Sequence, residues 1–142
     1  MPHPKDRPIF HQPGEAMRAW AEALRTELAG WPGVTLKRSF GMTFAYRGEA
    51  VFAALPGTRA LYSEDAILIK FHREAPALTK RLAADPHFAE GNMASGHKSK
   101  GEGRKWRICL LRRDADVHAA MDWLAEAHRL AGIKGHRGRI PQ

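Results

Sequence analysis

The sequence predicts an α+β fold, a two-layer sandwich with a mostly antiparallel sheet and helices packed on one face. Three observations lead there. Apolar residues recur at helical spacing near the start, before the basic stretch and near the end of the chain. Between the first two helical stretches, short alternating apolar and polar runs are broken by Gly and Pro, as in hairpins. Strands therefore cluster instead of alternating with crossover helices, which argues against a parallel sheet. At 142 residues the chain is read as one domain with a real core. Its expected divisions are an extended N-terminal arm (1–13), a single α+β domain (14–131) and a basic flexible tail (132–142).

The arm holds Pro2, Pro4, Pro8 and Pro13, which fix φ and remove donors. From Glu15 a helix follows, with Met17, Trp20, Ala21, Leu24 and Leu28 on one face. Gly30, Trp31, Pro32 and Gly33 end it. Val34, Leu36 and Phe40 mark a first strand, and Phe44 and Tyr46 a second. Gly48-Glu49 is a tight turn before the third strand, Ala50 to Leu55, which Pro56-Gly57 breaks. Ala66 to Lys70 reads as a buried fourth strand. Pro76 opens a second helix running to about Ala84, with Leu78 and Leu82 inward. A loop over 91–104 leads to a fifth strand, in which Trp106, Ile108 and Leu110 share a face. Asp114 can cap a third helix with Val117, Ala120, Met121, Leu124 and Ala127 as its stripe, ended by Gly132. Trp20, Leu24, Phe44, Phe52, Leu68, Trp106, Ile108, Met121 and Leu124 are the expected core.

Charge is unevenly placed. The net charge is +8. Residues 95–113 sum to +6 and 129–142 to +4, so the remainder is about −2. Such concentration asks for an anionic partner. No apolar run approaches the ~20 residues of a membrane span, and MPHPKDRPIFHQPGE lacks a signal-peptide core. The single cysteine, Cys109, excludes an internal disulfide and a multi-cysteine zinc site. A cytoplasmic, bacterial protein is the simplest expectation.

Val34-Thr35-Leu36-Lys37-Arg38-Ser39-Phe40-Gly41-Met42, then Phe44, Tyr46-Arg47-Gly48 and Val51-Phe52-Ala53, resemble the N-terminal domain of TfoX competence regulators. The later half resembles the related MmcQ/YjbR-like family. Its strand ending in Lys is Ile67 to Lys70 here, and its Trp-containing strand is Lys105-Trp106-Arg107-Ile108. A small bacterial luciferase-like domain shares the ending, with Asp116-Val117 opening the helix. The resemblance covers roughly residues 34–131. It implies a compact α+β, YjbR/TfoX-N-like fold and, through the families' labels, DNA binding or competence regulation. It carries no catalytic residue.

The anion-binding or nucleic-acid-binding candidates are Lys98, Lys100, Arg104, Lys105 and Arg107, with Arg137 and Arg139 auxiliary. Lysines and arginines release counterions from phosphates, and Gly96, Gly101 and Gly103 let backbone approach closely. The competing reading is a solvated loop. Trp106 could stack a base, but its alternation with Ile108 favours a core position, leaving Arg107 on the opposite face. Phe40-Gly41 reads as a turn whose Gly takes a restricted dihedral, with Phe40 in the core. Gly101-Glu102-Gly103 lacks the remaining features of a dinucleotide fingerprint. His118 and His128 fall about 80° short of a shared helical face. His72 with Glu74 and His87 with Glu90 lack metal-motif spacing. No metal, cofactor or catalytic residue is expected, and Cys109 reads as an inert thiol. Three classes stand: a nonenzymatic nucleic-acid or polyanion binder, a protein-interaction or regulatory domain, and a small-molecule domain with its pocket between sheet and helices.

Overall fold

The computed structural model describes residues 12–60, 65–88 and 106–136, with side chains through Gly132. The elements follow in order: α1 (Glu15–Ala29), β1 (Val34–Ser39), β2 (Met42–Arg47), β3 (Ala50–Pro56), β4 (Ala66–Lys70), α2 (Pro76–Ala84), β5 (Trp106–Leu110) and α3 (Asp114–His136). The five strands lie side by side in chain order, each antiparallel to its neighbour. Over the described residues the chain is thus α+β, with a five-stranded antiparallel sheet and three helices.

Strand alternation divides the apolar residues between two faces. Met17, Ala21, Leu24 and Leu28 of α1, Leu78 and Leu82 of α2, and Ala120, Trp123, Leu124 and Ala127 of α3 form the main core. They share it with Ala45, Phe52, Ala53, Leu55, Ile67, Ile69 and Cys109 of the sheet. The helices therefore bury their stripes on one face. A register shift between Ala45 and Tyr46 marks a bulge opposite Phe52. It turns both Phe52 and Ala53 into this core, which simple alternation would forbid. Met42, Ala54, Ala66, Leu68 and Ile108 form a second, smaller cluster on the other face, flanked by half-buried Phe44, Trp106 and Leu110.

Of the expected core, Leu24, Phe52, Leu68, Ile108 and Leu124 are buried. Trp20, Phe44, Trp106 and Met121 are only half-buried. Trp20 sits on the rim of α1 and donates its indole N–H to Asp114 at 2.8 Å. Asp114 is the first residue of α3 and not the flanking cap residue. Asp116, in the first turn, reaches back to the two residues before the helix, accepting the backbone N–H groups of Arg112 and Arg113 at 2.7 and 3.0 Å.

Two expectations are corrected. Phe40 is 69% exposed, not a core residue. Ser39 pairs with Met42, so Phe40 and Gly41 alone make the turn. Both take positive φ, 55° and 79°, which aims the Phe40 ring beyond the hairpin end. Gly132 does not end the last helix, which runs to His136. There the glycine makes room for Arg47. A Cβ at Gly132 would lie 2.5 Å from the Arg47 guanidinium carbon. The Arg47 guanidinium donates to the His128 carbonyl at 2.9 Å and ties the second hairpin to α3.

Candidate functional site

β5 places its side chains on alternate faces, so Trp106 and Arg107 part company. Trp106 lies opposite Lys70 on β4, on the face away from the helices. The Lys70 ammonium stands 5.7 Å from the centre of the indole. Lys37 and Tyr46 repeat the arrangement on β1 and β2, at 5.0 Å. Phe44, across from Lys37, lies on the same face. This face therefore carries cationic heads over aromatic rings around a small apolar centre.

Arg107 lies opposite Ile69 on the helix side. Its guanidinium grips the Glu74 carboxylate with two donors, Nε to Oε2 at 3.0 Å and Nη2 to Oε1. Both side chains are largely buried, at 11% and 14% exposure, so this charge is committed within the fold. Lys98, Lys100, Arg104, Lys105, Arg137 and Arg139 lie outside the described residues. The sequence reading missed Lys37, Tyr46 and Lys70. Their signal was parity: Tyr46 shares its strand face with Phe44, and Lys70 with Leu68.

Cys109 is fully buried in the main core, and burial raises its thiol to a pKa of about 12, assisted by the charges of Asp85 and Asp116. A thiol of that kind is a packing group and not a nucleophile.

A second polar cluster joins the turn after α2 to the start of α3. His87 Nδ1 lies 2.8 Å from Asp85 Oδ1, and its Nε2 lies 3.0 Å from Asp116 Oδ1. Trp123 donates its indole N–H to the other Asp85 oxygen at 2.9 Å. Both ring nitrogens face carboxylates, so the imidazolium satisfies the site and a neutral tautomer leaves two lone pairs opposed. Burial disfavours the His87 charge, but the hydrogen bonds to Asp85 and Asp116 outweigh it and raise the pKa above 6.5. Burial also works against the Asp85 charge, yet hydrogen bonds from the His87 backbone, Trp123 and the His87 ring hold it below 3.8. Asp116 is lowered first by the Arg112 backbone N–H.

The signs fix a pH dependence. The raised His87 pKa stabilises the fold fully below 6.5, and that contribution fades as pH climbs through the folded value. The lowered carboxylates stabilise it above 3.8 and fail as pH falls through theirs. The cluster therefore supports folding best between 3.8 and 6.5. Urea midpoints measured from about pH 5 to 9 should decline for the parent chain, and His87→Gln should flatten that decline. An equally steep decline in His87→Gln would place the titration elsewhere.

Compared with known proteins, the chain matches no family model, no curated protein and no solved structure.

Proposed function

We propose that this chain is a small nonenzymatic bacterial domain of the cytoplasm, MmcQ/YjbR-like and related to TfoX N-terminal domains, that binds nucleic acid or another polyanion. The observation that carries the reading is the Lys70–Trp106 pair at the start of β5. Trp106 directly follows the basic run Lys98, Lys100, Arg104 and Lys105 in the chain. Single strands are held by aromatic rings that stack bases together with basic groups that neutralise phosphates, and Trp106, with Lys70 beside one face and the basic run before it, brings both to one edge of the sheet. Lys37 over Tyr46 extends the same surface across the sheet. Among the described residues, no helix is long and apolar enough to cross a membrane. Arg137 and Arg139 serve as auxiliary contacts in this reading.

Phosphate contacts carry little sequence information, so binding is weakly sequence-dependent. The test is an electrophoretic mobility assay across salt with single- and double-stranded DNA and RNA. Affinity should fall with salt by about one logarithmic unit of slope per phosphate contact. Replacing Lys98, Lys100, Arg104 and Lys105 by Ala should weaken binding and flatten that slope together, with the melting temperature nearly unchanged. Absence of retention by the parent chain at ~50 mM salt defeats the reading. An unchanged slope in the fourfold variant removes the basic run from it.

A further inference from the structure

On the helix side of the sheet, α1 and the first three strands line a half-open pocket of about 440 Å³. Volumes of that order hold metabolites. Its charged lining is Arg18, Glu22 and Arg25 of α1 with Arg38 of β1. Glu22 is already bound by Arg25, whose Nε donates to Oε1 at 3.1 Å. Among the described residues no hydrogen bond or ion pair occupies the guanidinium of Arg18 or of Arg38. The cavity thus holds two positive charges in excess.

Thr43 supplies a second, independent sign. It sits directly across from Arg38 in the strand register, lines the cavity and is only 6% exposed. Among the described residues nothing hydrogen-bonds its hydroxyl. Buried hydroxyls are normally paired, and this one borders the pocket. Beside it on the same sheet wall, Leu36, Leu55 and Pro56 offer an apolar bed, with Leu55 the direct strand partner of Thr43. The wall after β3 is also rigid. A Cβ on Gly57 would meet the Gly41 carbonyl oxygen at 2.6 Å, and Arg59 N–H donates to that same oxygen at 3.1 Å.

We propose that this cavity binds a small phosphate monoester with an apolar or aromatic body. Two guanidinium groups without a hydrogen-bonded partner among the described residues, one of which (Arg38) also acts through space on Glu22, match a phosphate dianion in charge, and guanidinium forks are suited to phosphate oxygens. The Thr43 hydroxyl donates a further bond, and the body rests on Leu36 and Leu55. The site uses none of the residues assigned to polyanion binding and lies on the other side of the sheet from Trp106.

Calorimetric titration of the full chain with phenyl phosphate tests this. Saturable one-to-one binding is expected, and Arg18→Gln with Arg38→Gln should weaken it by about a hundredfold. Both arginines are exposed, so an unchanged melting temperature certifies the fold of that variant. Thr43→Val keeps the β-branched shape and should weaken binding about tenfold by removing the donor. The fourfold alanine variant of the basic run should bind phenyl phosphate as the parent does, whichever way the oligonucleotide assay falls. No saturable heat up to ~10 mM, or parental affinity in the double arginine variant, overturns the proposal. Phenylacetate binding as tightly as phenyl phosphate overturns the assignment of a phosphate dianion.

Discussion

Leu124→Ala should lower the free energy of unfolding by about 2–5 kcal/mol, toward the upper end of the range for such truncations. Leu124 is fully buried on α3, and α3 lies against β3. What surrounds it decides the magnitude. The main core is rich in alanine: Ala45, Ala50 and Ala53 on the sheet, Ala120, Ala127 and Ala131 on α3. Alanine has no side-chain rotamer with which to move into a space a leucine leaves. The cavity therefore persists, and its cost adds to the lost transfer energy. Leu24→Ala on α1 should behave alike, since Leu24 is equally buried and α1 packs against both β3 and α3. Urea midpoints with unchanged m-values are the readout. If both variants kept the parental midpoint, the helices would not meet the sheet through these faces.

Much of this architecture was legible because the decisive signals are local. Helical spacing in α1 and α3, alternation in β2, and breaks at Gly48 and Pro56-Gly57 each depend on residues a few positions apart. The helix-covered face of the sheet was legible only in part. Alternation put Trp106, Ile108 and Leu110 on one face correctly, but could not say that helices cover the opposite one. The bulge at Phe52 has no sequence signature, since its parity change arises from pairing with Ala45 and Tyr46. Phe40 was misread because hydrophobicity was weighed above turn length: a two-residue turn turns its first residue outward at positive φ. Gly132 was misread because a helical glycine costs only about 1 kcal/mol, which tertiary contact can offset. The Arg47 guanidinium that occupies its space comes from 85 residues earlier in the chain.

The candidate site followed the same division. The basic run was visible as composition, whereas the Lys37–Tyr46 and Lys70–Trp106 pairs require strand neighbours. Arg18, Arg38 and Thr43 come from α1, β1 and β2, and nothing in their spacing draws them together. Long-range pairing is also why Arg107 appeared in the sequence as one more surface cation. Its partner, Glu74, stands 33 residues away.

That pair yields the other large expected effect. Arg107→Ala should destabilise the chain by about 3 kcal/mol, because it strands the Glu74 carboxylate, which is 14% exposed, without its counterion. Thr79 donates its hydroxyl to Glu74 Oε1 at 2.9 Å, but one neutral donor replaces little of a two-donor guanidinium. Glu74→Leu alone strands the arginine in the same way. Removing both charges with apolar groups of similar size is a different experiment. Arg107→Met with Glu74→Leu pays neither stranding penalty and should return close to parental stability, since a buried pair gains little net energy over packed hydrocarbon. Urea unfolding of the parent, Arg107→Met, Glu74→Leu and the double variant closes the cycle. Additive losses in the double variant would mean that the two side chains do not depend on each other. The same double variant also separates fold from ligand. With Arg107 held by Glu74 on the helix side, oligonucleotide retention should survive in Arg107→Met/Glu74→Leu while the fourfold alanine variant of the basic run loses it. Loss of retention in the stable double variant would return Arg107 to the set of residues that meet phosphate.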